Sequence, residues 1–136
     1  MENNRHESDE ITLAAHGSER GNLYVGEVHK QLPFDIKRFY IIANIPKGAL
    51  RAEHAHKEQE QALFCLKGSC EISFDDGRRK WTTVLNSAGK GVRIRKKVWH
   101  TISNVTEDVV LLVVASGLYD ESDYLRDYKA FLAFIR

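Results

Sequence analysis

His54 and His56 are separated by one residue, a spacing that on a β-strand turns both imidazoles to the same face. A third histidine, His100, follows Trp99 later in the chain and can meet the pair from another strand. An imidazole titrates near ~6.5, so a histidine pair can take and return a proton close to neutrality. Three imidazoles can also hold zinc or iron. A bland alternative is that they are structural histidines of a binding protein. Arg51, just upstream of His54, favours chemistry over that alternative.

The spacing around these residues is regular. Gly48 is followed after five residues by His54-Ala55-His56, then after four by Gln61 and after six by Gly68. A second half-pattern runs from Gly89 to Arg95, His100 and Asn104. In this order, about forty residues apart, they are the two half-motifs of a cupin, an all-β jelly-roll barrel (double-stranded β-helix). Two departures bear on the chemistry. The position that normally supplies a glutamate ligand holds Gln61, and the adjacent Glu60 falls on the opposite strand face. Arg95 and Lys97 replace the usual proline and glycine. A neutral amide is a poor ligand for a hard divalent cation and nearby cations disfavour one further. The reading is therefore metal-free proton transfer with no cofactor, although three histidines leave a metal possible in principle.

The elements that must carry these residues are short. Apolar pieces of strand length fall at 11–13, 23–28, 38–45, 61–67, 70–74, 81–85, 91–94, 100–104 and 109–116, as in a sandwich or barrel. Residues 109–114 are apolar without alternation, the mark of a strand covered on both faces. Lys67-Gly68-Ser69 and Asp75-Asp76-Gly77 are turn signals. From Asp120 onward Tyr124, Leu125, Tyr128, Phe131, Leu132 and Ile135 recur at helical steps, with Ser122 or Asp123 as cap, predicting a short C-terminal helix. The 136 residues make one domain, with residues 1–9 polar and expected to be flexible.

Composition excludes several classes. Apolar residues at 43% and charged residues at 29% fit a soluble globular chain, and a net charge of +1 gives no bulk attraction to nucleic acid or acidic lipid. Arg93-Arg95-Lys96-Lys97 is too short a basic run to change that, and reads as a solvated or ligand-facing loop. There is no apolar segment for a signal peptide or a membrane span, so a cytoplasmic location is expected. Cys65 and Cys70 read as buried free thiols, neighbours if their strands pair. Trp81, Trp99, Tyr119, Tyr124 and Tyr128 read first as core or interface aromatics, though each could stack on a base.

The runs Arg51-Ala52-Glu53-His54-Ala55-His56-Lys57, Leu66-Lys67-Gly68-Ser69-Cys70, Val98-Trp99-His100 and Leu118-Tyr119-Asp120-Glu121-Ser122-Asp123-Tyr124 resemble those of the nucleotide-sugar 3,4-ketoisomerases of the cupin superfamily. So does Pro33-Phe34-Asp35-Ile36-Lys37-Arg38-Phe39-Tyr40, and the resemblance extends from about Glu19 onward. It implies conversion of dTDP-4-keto-6-deoxyglucose to a 3-keto-6-deoxyhexose, on the way to 3-amino sugars of polysaccharides and glycans. It also implies a metal-free homodimer with an exchanged N-terminal strand. The catalytic residues carried over are His56, His54, Tyr40 and Arg51, with His56 favoured as the base. Arg38, on the strand face of Tyr40, is expected at the diphosphate, and Arg20, His100, Gln61 and Trp99 elsewhere on the substrate. Arg20 before Gly21 together with His100 after Trp99 resembles the galacto-forming branch. Competing readings are a metal-dependent cupin dioxygenase or sugar isomerase, and a non-catalytic nucleotide-sugar sensor.

Overall fold

The computed structural model describes residues 9–136. Of the stretch expected to be flexible, residues 1–8 lie outside the described residues. Asp9 is not loose: it is buried, its carboxylate accepts from Arg95 Nε at 2.7 Å and its carbonyl from the Arg93 amide at 2.7 Å.

The strands are β1 (Glu10–Thr12), β2 (Ala14–Ser18), β3 (Gly21–Val25), β4 (Arg38–Ala43), β5 (Arg51–His56) and β6 (Gln61–Lys67). They continue with β7 (Cys70–Asp75), β8 (Lys80–Leu85), β9 (Lys90–Ile94), β10 (Trp99–Ser103), β11 (Val110–Ala115) and β12 (Tyr124–Leu125). One helix, α1 (Tyr128–Phe134), follows. Two five-stranded sheets, in the orders β1-β9-β6-β11-β4 and β12-β5-β10-β7-β8, face each other, and β2 and β3 form a separate hairpin. This is the cupin jelly roll, all-β with a short C-terminal helix.

The patterning explains the layers. Along β4, Arg38, Tyr40 and Ile42 turn inward while Phe39 and Ile41 remain exposed. On β11, Leu111 and Val113 join the core between the sheets, whereas Leu112 and Val114 pack outward with Ile11, Leu32 and Phe64. That double burial is why this strand is apolar throughout.

Two local expectations change. Lys67-Gly68-Ser69 does not close a hairpin, because β6 and β7 belong to different sheets. It is the corner between them, with Gly68 at φ 76° and no room for a Cβ beside Thr106 Oγ1. Cys65 and Cys70 consequently face one core from opposite sheets, as free buried thiols. The C-terminal helix is shorter than its periodicity suggested. Asp120 caps a 3-10 turn over Glu121–Asp123 instead, Tyr124 and Leu125 pair with β5, and Asp127 caps the true helix. Hydrogen bonding to β5 outweighs helical propensity in a two-residue strand already packed on the barrel.

Leu111 is completely buried on β11, an interior strand of its five-stranded sheet. Leu111→Ala is expected to lower unfolding free energy by about 2–5 kcal/mol, read as a shifted urea midpoint with an unchanged slope.

Candidate active site

Between the sheets lies a cavity of about 440 Å³. Arg38, Tyr40 and Ile42 form one wall and Arg51, Ala52, His54, His100 and Ile102 the other. Gln61, Leu63, Ile94 and Val113 come from the same sheet as the first wall, and Leu50, Tyr119, Tyr124 and Arg126 complete the lining.

A backbone irregularity sets the catalytic wall. Between β10 and β5, His100 pairs with His54 but Thr101 pairs with Ala52, so Glu53 is an extra residue, a β-bulge. Ala52 and Glu53 both adopt positive φ, 69° and 57°, a conformation costing a side-chain-bearing residue roughly 1–2 kcal/mol. The extra residue resets the alternation, so Arg51 and His54, three apart, both line the cavity. The bulge also aims the Ala52 carbonyl at His54 Nδ1, 3.0 Å away.

A carbonyl only accepts, so His54 Nδ1 carries the hydrogen and its Nε2 keeps a lone pair. The same logic applies to His100, whose Nδ1 donates to the Val98 carbonyl at 3.2 Å. His56 Nδ1 is 3.0 Å from the Asp123 carboxylate, itself held by the Glu58 amide at 2.7 Å. Nε2 of His54 and of His56 are buried without a partner among the described residues. The three rings are mutual neighbours, with potential ligand atoms within 4.8 Å of one another. Burial, followed by the charge of His56, lowers the His54 pKa to about 4. Burial also lowers His56, against the pull of Asp123, and puts His100 well below its ordinary value. All three are therefore neutral near pH 7, bases rather than cations. Tyr40, raised by burial and then by Tyr124, remains a phenol, and its hydroxyl donates to Gln61 Oε1 at 3.2 Å.

The charged residues of the lining are all cationic, with no carboxylate among its described residues. Arg38 donates from Nε to the Gly117 carbonyl and from Nη2 to Gln59 Oε1, both at 3.1 Å, so its charge is held but not neutralised. The Arg51 guanidinium has no hydrogen-bond or ion-pair partner among the described residues. Arg126 lies over the Tyr124 ring at 4.2 Å and is paired with Glu121. Such a cavity suits a ligand with an anionic end and a neutral, proton-exchanging end.

Most of the expected site residues meet here: His54, His100, Tyr40, Arg51, Arg38 and Gln61 line the cavity. His56 is not in the wall but directly behind it, against His54, His100 and Tyr124. Trp99 lies outside this cavity: one residue from His100, it faces the other way and packs on Tyr128 and Phe131. Arg20 is exposed at the turn of the β2–β3 hairpin, outside this cavity. Arg93 and Arg95 are not ligand-facing, being paired with Glu60 and Asp9. Asp123 and Arg126 were missed because the terminal stretch was read as a helix. Tyr119 and Tyr124 were weighed chiefly as core or interface, yet line the cavity.

The depressed histidines make folding acid-sensitive. The unfolded chain takes up protons below about 6.5 that the folded His54 refuses until about 4. Stability from this source is complete above pH 6.5 and is lost as pH falls toward 4. Thermal melting of the wild type is expected to drop more steeply between pH 7 and 4.5 than that of His54→Asn. Equal slopes would show that His54 does not titrate this way.

Comparison with known proteins agrees with the geometry. A family model described as FdtA, WxcM-like, C-terminal, matches residues 6–136. The TDP-4-oxo-6-deoxy-alpha-D-glucose-3,4-oxoisomerase of Aneurinibacillus thermoaerophilus is 41% identical over 116 residues, 85% of this chain and 84% of that protein. The crystal structure of a 3,4-ketoisomerase from Helicobacter canadensis superposes with a TM-score of 0.89 at 40% identity, covering 93% of this chain and 95% of that one. QdtA, a sugar 3,4-ketoisomerase from Thermoanaerobacterium thermosaccharolyticum solved with TDP, gives 0.89 at 36% identity, covering 93% and 92%. Matched across nearly its whole length, the chain belongs to the FdtA family of cupin sugar 3,4-ketoisomerases.

Proposed function

We propose that the protein converts dTDP-4-keto-6-deoxy-D-glucose to dTDP-3-keto-6-deoxy-D-galactose without a metal, as a step toward 3-amino-3,6-dideoxy sugars. The observation that carries this reading is the unpartnered Nε2 lone pair of His54 in the wall of a cavity that also holds a phenol and free guanidinium. The base assigned is His54 rather than His56. His54 reaches the cavity, while His56 is committed to Asp123 and supports the ring in front of it.

The hydrogen on C3 is acidic because the neighbouring C4 ketone turns its loss into an enediolate. His54 Nε2 takes that proton, and Arg51 faces the charge that grows on O4. Tyr40 gives its proton to O4 and recovers one from the C3 hydroxyl, so the enediolate charge passes from O4 to O3. The His54 imidazolium then returns its proton to C4, leaving a C3 ketone and a C4 alcohol. In the gluco ring the C3 hydrogen lies on the lower face. A single base delivering to C4 from that face leaves the C4 hydroxyl axial, the galacto configuration. Arg38 suits the diphosphate, as a guanidinium fork binds phosphate oxygens. Metal-free chemistry is favoured by Gln61 at the fourth ligand position and by the cationic lining, which repels a divalent ion.

The same reading includes a homodimer. The β2–β3 hairpin makes no sheet with its own barrel and exposes Leu23, and Phe39 and Ile41 are exposed on β4. An arm exchanged between subunits would bury these and carry Arg20 to the partner's cavity.

The test is proton NMR of EDTA-treated protein with substrate deuterated at C3, trapped by a 3-aminotransferase and its amino donor. A galacto 3-amino sugar with deuterium at C4 is expected, as is a loss of roughly 10²–10⁴-fold in His54→Asn. A smaller loss is expected in His56→Asn. A gluco product or an active His54→Asn would overturn the single-base scheme. Substrate binding without turnover would identify a sensor, and activity only with added metal a metal-dependent enzyme.

A further inference from the structure

Arg126 and Glu121 stand at the edge of the cavity, outside the chemistry derived above. Arg126 Nε donates to Glu121 Oε2 at 2.7 Å and Nη2 to Oε1 at 3.0 Å. Tyr119 adds a third donor, its hydroxyl 2.5 Å from Glu121 Oε1. Both donors, Arg126 and Tyr119, line the cavity, while Glu121 does not. A fork and a phenol converging on one carboxylate describe an anion site that the chain fills with its own side chain.

We infer that Glu121 stands in for the substrate's diphosphate, and that Arg126 is a specificity residue that exchanges this internal anion for the ligand's. The inference rests on the nucleotide-sugar reading above. Three observations give it direction. The Arg126–Glu121 pair is about half exposed on both sides, 51% and 57%, so it is weak and exchangeable. Arg126 is steadied independently of Glu121 by lying on the Tyr124 ring, which itself touches His54 and His56 at 4.9 and 4.6 Å between centroids. Removing the carboxylate therefore frees the guanidinium without letting it wander. Finally, the 3-10 turn is capped by Asp120, which binds the Ser122 amide and hydroxyl, so Glu121 can swing away as a side chain while its backbone stays. A diphosphate offers more charge and more acceptors than one carboxylate, so the exchange runs toward the ligand.

Calorimetric titration with dTDP alone tests this without requiring turnover. Glu121→Gln is expected to bind dTDP about threefold more tightly than wild type, the scale of an exposed ion pair. Arg126→Gln is expected to bind about tenfold more weakly, the scale of a lost charged hydrogen bond. The double variant should stay close to Arg126→Gln, because the charge that Glu121 holds is that of Arg126. Thymidine, lacking phosphates, should bind all four proteins alike, and matched thermal melts would show that each is folded. Weaker dTDP binding in Glu121→Gln would mean that the carboxylate positions Arg126, and would overturn the inference. So would tightening that persists without Arg126, since the carboxylate would then repel the ligand directly. Either result leaves the nucleotide-sugar reading intact. Failure of wild type to bind dTDP would instead remove that reading, and this inference with it.

Discussion

Everything at this site depends on how the far side of each imidazole is tied down. A neutral imidazole has one donor and one acceptor nitrogen, and the hydrogen bond made by one decides what the other offers. Here Nδ1 of His54, His56 and His100 is spoken for by a carbonyl, a carboxylate and a carbonyl in turn. The lone pairs are therefore on Nε2, gathered toward one space. Without those three anchors, the same residues would rotate or change tautomer, and the cavity would hold donors and acceptors at random.

Burial completes what the anchors begin. An imidazolium in this part of the barrel would be desolvated and beside two others, so the rings are neutral at ordinary pH. The charge is placed elsewhere, on Arg38, Arg51 and Arg126 around the cavity. Neutral, proton-exchanging rings and fixed positive charge thus share one space. A substrate with a sugar at one end and a diphosphate at the other has a preferred orientation before any shape is considered.

Much of this was legible in the chain. The period-two spacing of His54 and His56 and the two half-motifs identified the barrel, and the apolar run on β11 announced a doubly covered strand. Most of what was not legible shares a cause, which elements pair, a non-local fact. The β6–β7 corner looks like a hairpin turn because glycine serves both. Tyr124 and Leu125 fit a helical stripe, and only their pairing with β5 makes them a strand. With that stretch misread, Asp123 was a cap rather than the partner of His56, and Arg126 had no role at all. Trp99 lies outside the cavity for a different reason, since adjacency to His100 on a strand means the opposite face.

The bulge at Glu53 has a bearing on how such chains diverge. Face alternation along β5 is a parity, and one inserted residue has inverted it on the Arg51 side while leaving the His54 side in phase. A chain that lost that residue would keep every neighbour in its sequence and still turn its arginine out of the barrel. Length between the arginine and the first histidine is thus inherited as a unit with the chemistry. A change in the number of residues here cannot pass unnoticed by the cavity.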